Sequence, residues 1–172
     1  MNETINNLVN RRSVRSYQNK QIDEEALQQI LQAGLYAPSG MGRQPTIMVV
    51  IQDEATIKEV SRLNGAVMNS DSDPFYGAPT VIVVLADSTV PTYREDGSLV
   101  MGNLMNAAWA VGVDSCWIHR AREVFDSPEG KALLKKWGID KKYVGIGNCI
   151  LGYCQGEKPE AKPRNENRIY RI

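Results

Sequence analysis

The sequence is poor in the residues that most metal and nucleophile chemistry needs. It has one histidine, His119, so a His-rich metal site is excluded. No HExxH, EF-hand or P-loop pattern occurs, and no GxSxG elbow accompanies His119. No Rossmann GxGxxG is present, so no resident dinucleotide site is indicated. Cysteine is limited to Cys116, Cys149 and Cys154, an odd count without CxxC spacing. That argues against a disulfide framework and for reduced thiols packed as small hydrophobes. No ferredoxin-like cysteine cluster is present either. The longest apolar runs, Thr80–Ala86 and Ile47–Ile51, are far too short to cross a bilayer. The N-terminal MNETINNLVNRR lacks an apolar signal core, which predicts no export and a cytoplasmic location. Net charge is also lacking: 20 basic and 20 acidic residues cancel, which argues against a broad nucleic-acid surface.

What remains is an ordinary globular composition, 42% hydrophobic and 23% charged over 172 residues. That length suits a single domain, 1–172, with a core large enough to need no staple. The charge is uneven. Arg11, Arg12, Arg15 and Lys20 face only Glu3 in the first 20 residues, and residues 155–172 are basic as well. Two short basic clusters suit one small polyanion better than a long one.

Periodicity predicts helices over 2–10, 24–36, 55–63, 98–111 and 128–137. Asp23 is read as the N-cap of the second, and Asp126 or Ser127 as the cap of the last, with Pro128 at its first position. Strands are expected over 46–52, 80–86, 115–118 and 144–153. The helix over 98–111 is apolar almost throughout, which places it in a core or an interface. Residues 64–79 and 38–42 read as loops, and 155–172 as an extended polar tail able to add a strand to a sheet, including another subunit's. The order predicts an α+β, three-layer α/β/α sandwich around a mixed central sheet.

Three constellations can carry chemistry. Arg11, Arg12, Ser13 and Arg15 offer forked, permanently charged donors and a hydroxyl, which suit a phosphate monoester. Equally, they suit a solvated basic turn. Between a helix and a strand, Pro38, Ser39, Gly40, Arg43 and Gln44 combine close backbone approach with donors for a flat ligand. A plain helix-to-strand connection would read the same way. Lys162 and Arg164 near the C-terminus are able to close a phosphate clamp with Arg11 and Arg15, or to sit in an exposed tail.

Taken in order, RRSxRxY, a capped helix, APSGxxxQP, an apolar strand, GxGNCILGY and KPR resemble the nitroreductase family of flavin enzymes. GAPTVIVV (77–84) and NLMNAAWAVGVDSCWI (103–118) fit the same pattern. The resemblance covers residues 10 to 165, with Arg11 to Pro45 the most specific part. It implies an α+β homodimer with FMN at the subunit interface. It implies that Arg11, Arg12, Ser13 and Arg15 serve the phosphate and ribityl end, completed by Lys162 and Arg164. Pro38, Ser39 and Gly40, from the opposite subunit, would line the flavin, with Gln44 nearby. Ile118, His119 and Arg120 would run along the isoalloxazine, where His119 or Arg120 could supply a positive field.

Two departures stand out. Gly42 and Thr46 occupy positions where the family often has Asn and Trp, which removes a side-chain contact and changes the packing behind the loop. The chain is also short for the family, so long lids are not expected.

The implied activity is an FMN-dependent oxidoreductase. NADH or NADPH would be a transient co-substrate in ping-pong hydride transfer, and a nitroaromatic, a quinone or a similar electron-poor molecule the acceptor. No protein side chain and no metal is expected to be catalytic, and neither nucleic acid nor membrane is an expected partner. Alternatives are a flavin-binding sensor or carrier with little turnover, and a family relative specialised for reductive dehalogenation or ring dehydrogenation.

Overall fold

A computed structural model describes residues 1–172. Its elements are α1 (Glu3–Asn10), α2 (Glu24–Leu35), β1 (Thr46–Ile51), α3 (Glu54–Val67), β2 (Thr80–Asp87), α4 (Tyr93–Ala110), β3 (Asp114–Ile118), α5 (Ala121–Asp126), α6 (Pro128–Lys136) and β4 (Tyr143–Gly152). No helix is long and apolar enough to cross a membrane.

The four strands form one sheet in the order β1-β2-β4-β3, and every pairing is antiparallel. The mixed sheet expected from the sequence is thus antiparallel through its named strands. Its only parallel element is an isolated bridge between Ser13 and Ser115. The cause lies in the connections. Between β1 and β2 the chain runs through α3 and then back along residues 68–79, so β2 starts from the end where β1 stopped. A helical connection does not fix strand direction when a return segment follows it.

β2 is buried along its whole length, and its alternation sorts the core into two layers. Val81, Val83 and Leu85 pack with Ile57 and Val60 of α3, Val124 and Phe125 of α5, and Leu133 and Leu134 of α6. Ile82 and Val84 pack on the other face with Leu27 and Ile30 of α2 and Met101 and Leu104 of α4. Each of these apolar side chains contributes roughly 1.5–3 kcal/mol by leaving water. The result is the expected three-layer sandwich, with α1 outside it against α4.

Four details differ from the sequence reading. α3 runs on to Val67 through Asn64 and Gly65, both buried. α4 starts at Tyr93 rather than Ser98. α5 is a helix the sequence does not predict; it is six residues long, and its N-cap, Arg120, has φ 73°. Asp23 does precede α2, but its carboxylate makes no cap bond and instead accepts from the Tyr153 hydroxyl at 3.3 Å. Ser127 caps α6 through the Gly130 N–H.

Candidate functional site

The segment after α1 lies along the outer edge of β3. Val14 donates its N–H to the Ser115 carbonyl at 3.1 Å, and Tyr17 bridges Cys154. Val14 and Tyr17 are the buried anchors of this strip, which leaves Arg11, Arg12 and Ser13 half-buried and Arg15 exposed. Arg11 donates from Nη1 to the Ser13 hydroxyl at 3.4 Å. Arg12 is engaged differently: its Nη1 donates to the carbonyls of Val9 and Arg11, both at 2.9 Å, at the end of α1. None of the three arginines forms an ion pair with a carboxylate. Their reach inward registers at Cys116. Burial raises its thiol pKa, and the charges of Arg15 and Arg11 together with Ser13 partly offset the rise.

β3 then leads into the turn that carries the next candidates. Ile118 is buried, His119 is exposed and Arg120 sits in the left-handed region. Asn64 of α3, fully buried, holds this turn with both ends of its carboxamide. Its Nδ2 donates to the His119 carbonyl at 2.8 Å, and its Oδ1 accepts from Arg120 Nε at 3.2 Å. Asn148 of β4 donates to the Ile118 carbonyl at 3.5 Å, while its buried Oδ1 has no partner. Two consecutive carbonyls of the turn are therefore held from α3 and β4. The N–H groups of His119 and Arg120 donate to nothing within the chain. Consecutive unpaired N–H groups beside a left-handed residue form a concavity for negative charge.

The Pro38–Pro45 loop lies elsewhere. Ser39 accepts the Gln44 N–H on Oγ at 3.0 Å, and a 3-10 turn spans Gly40–Gly42. Gly40 donates its N–H to Asp96 Oδ1 at 2.8 Å. Gln44 and Pro38 are exposed. The loop enters β1 at Thr46, which pairs with Ala86, whereas Ser13 is level with Ser115, Leu151 and Thr80. The two segments therefore sit at diagonal corners of the sheet, about 19 Å apart across the strands and about 20 Å along them. One chain does not bring them together. Lys162 and Arg164 are both exposed in the tail, with no hydrogen bond or ion pair.

A groove of about 1000 Å³ lies between α3 and the 70–79 segment and includes none of these candidates. Its charges are mixed, Lys58 and Arg62 against Glu54, Asp71 and Asp73, so it offers no cationic field for an anion, and shape alone does not mark it as the site. Asn64, Asp96 and Asn148 are the site residues the sequence reading missed. Only the unusual placing of Asn148 inside an apolar strand was a signal.

Known proteins share this architecture. The nitroreductase family's profile matches residues 8–71. An Archaeoglobus fulgidus protein with the provisional name NADH dehydrogenase/NAD(P)H nitroreductase is 33% identical over 180 residues, covering 99% of this chain and 98% of the relative. A nitroreductase from Bacteroides fragilis, crystallised with bound FMN, superposes with a TM-score of 0.92 at 30% identity, over 100% of both chains. One from Desulfitobacterium hafniense, also with bound FMN, gives 0.90 at 26% identity over 100% of this chain and 99% of that one. With one third of its residues shared along nearly the whole of such a relative, and with the same fold, this chain belongs to the nitroreductase family.

Proposed function

We propose that this protein is an FMN-dependent oxidoreductase that takes reducing equivalents from NADH or NADPH and passes them to an electron-poor acceptor such as a nitroaromatic or a quinone. The observation that carries the reading is the arginine strip on β3: guanidiniums and a hydroxyl, unmatched by any carboxylate, next to a turn with unpaired N–H groups. That donor set fits a flavin mononucleotide, with a dianionic phosphate at one end and carbonyl and nitrogen acceptors at the other. The relatives with bound FMN support the same cofactor.

The chain's own contribution is binding and electrostatics. Arg11, Arg15 and Ser13 would hold the phosphate and ribityl end, and Arg12 would stiffen the end of α1 beside them. Asn64 and Asn148 would keep the Ile118–Arg120 turn in shape, so that its N–H groups and the Arg120 charge face the electron-rich edge of the ring. FMN, when bound, supplies the hydride relay.

The site is completed by a second copy of the chain. The diagonal placing of the Pro38–Gln44 loop supports this, because a two-fold axis repeats each corner beside the other. So do the exposed apolar faces, with Ile5, Leu8 and Val9 on α1 at 47–49% exposure, Leu35 and Tyr36 at the end of α2, and Leu99 on α4. The tail would then bring Lys162 and Arg164 to a phosphate. The test is the visible absorbance of the purified protein. A flavin band that bleaches on adding NADH or NADPH, and returns with an acceptor, is the expected result. A flavin band that neither nucleotide bleaches would make the protein a sensor or carrier. A colourless protein that takes up no added FMN would overturn the reading.

A further inference from the structure

Asp96 is a carboxylate with only 3% exposure, in the first turn of α4. It forms no ion pair. Its Oδ1 accepts the Gly40 N–H and its Oδ2 the Thr92 hydroxyl, each at 2.8 Å. A buried charge is tolerated only when its lone pairs are used, and the start of a helix adds favourable potential. Hydrogen bonds to such a charge are about twice as strong as neutral ones.

The loop it grips needs holding. Met41 and Gln44 have φ of 55° and 49°, sparsely populated for residues other than glycine. Gly40 is pressed onto the same helix end, since a Cβ there would lie 2.5 Å from Thr92 Oγ1. Ser39 closes the loop on itself through Gln44, and Asp96 is the one side chain outside residues 37–45 that hydrogen-bonds to them. Apart from backbone bonds at its two ends, Ala37 to Gly34 and Asp87 to Pro45, the loop is hydrogen-bonded from outside by a single carboxylate, 56 residues along the chain.

We propose that Asp96 is a positioning residue that acts in trans. By holding its own Pro38–Gly40 segment, it shapes the flavin site centred on the partner subunit, and not the site beside its own arginine strip. The proposal rests on the dimeric flavin reading above.

The test uses heterodimers of two differently tagged chains, one carrying Asp96→Ala and the other Arg11→Ala with Arg15→Ala. Readouts are FMN stoichiometry and affinity, thermal unfolding without FMN, and mass by light scattering. Each mutant homodimer is expected to bind FMN about tenfold or more weakly than the natural protein. Asp96→Asn keeps an acceptor for Gly40 and is expected to recover most of the affinity. In the heterodimer, trans action puts both lesions on one site and none on the other. One FMN per dimer should then bind with natural affinity. Two weakened sites, with none of natural affinity, would mean that Asp96 acts in cis, and would overturn the proposal. Natural affinity in the Asp96→Ala homodimer would overturn it as well. If natural-sequence dimers bind no FMN, the underlying flavin reading fails and the inference goes with it. Should Asp96→Ala chains not fold, Gly40→Ala displaces the same loop by collision with Thr92 and is paired in the same way.

Discussion

Arginines crowded on a short strip repel one another unless something negative pairs with them, and here no carboxylate forms an ion pair with any of them. They are not equivalent, however. The Arg11 guanidinium hydrogen-bonds only to Ser13, and Arg15 is exposed, whereas Arg12 is occupied by two carbonyls. Arg11→Ala and Arg15→Ala should each weaken FMN binding by about 1.5–3 kcal/mol, the value of a hydrogen bond to a charged group. Arg12→Ala should weaken it less and lower the melting temperature more. Fluorescence titration of FMN against the three variants checks this ranking, and unchanged affinity in both Arg11→Ala and Arg15→Ala would refute the phosphate assignment. At this scale the sequence was informative wherever donors are neighbours in the chain. Arg11, Ser13 and Arg15 stand out because the motif itself is the cluster. Asn64 and Asp96 do not, since their partners His119 and Gly40 lie 55 and 56 residues away. A buried Asn or Asp in a helix has no local signature that separates it from a surface one.

Among the elements, the long apolar strands and the capped helices were legible because burial repeats with the backbone period. α5 was not. Six residues give too little periodicity, and the helix starts from a left-handed arginine with no side-chain cap. The extension of α3 was hidden by the Asn64-Gly65 pair, which resembles a turn signal but is buried by packing, with Gly65 facing the Ser70 carbonyl. β4 shows how such packing positions the site. Val84 pairs with Gly147 and Leu85 with Gly145, so Ile146 is the extra residue of a bulge. At Gly145 the strand approaches the start of α5 so closely that a Cβ would lie 2.2 Å from the Ala121 carbonyl oxygen. That neighbour is backbone and cannot swing aside. Gly145→Ala should cost about 1–3 kcal/mol of stability, seen in urea unfolding, by forcing α5 off the sheet. Because Arg120 is the N-cap of α5, the same variant should also weaken FMN binding. A variant that unfolds at the natural urea midpoint would show that the contact is slack.

At the scale of the whole molecule, the chain leaves its two ends unfinished. The basic tail was evident in the composition, but what it packs on was not, because a single sequence carries no second copy. In the fold it leaves the body after two contacts of Lys158, an ion pair with Asp114 at 2.7 Å and a place over the Trp109 ring. From Pro159 onward it makes no hydrogen bond or ion pair, yet it carries Ile169, Tyr170 and Ile172 at high exposure beside Lys162 and Arg164. Apolar groups that find no cover on their own chain gain by burial on another. Removing residues 159–172 should therefore leave circular dichroism unchanged, since none of them is buried in the core. It should also raise the dimer dissociation constant and weaken FMN binding. Lys162→Ala with Arg164→Ala separates the two effects: the dimer should persist, because the apolar anchors remain, while FMN affinity falls with the loss of two cations from the phosphate. Sedimentation and FMN titration of both variants decide the matter. A truncated chain that stays dimeric and binds FMN as before would place the tail outside the site and leave the phosphate to Arg11 and Arg15 alone.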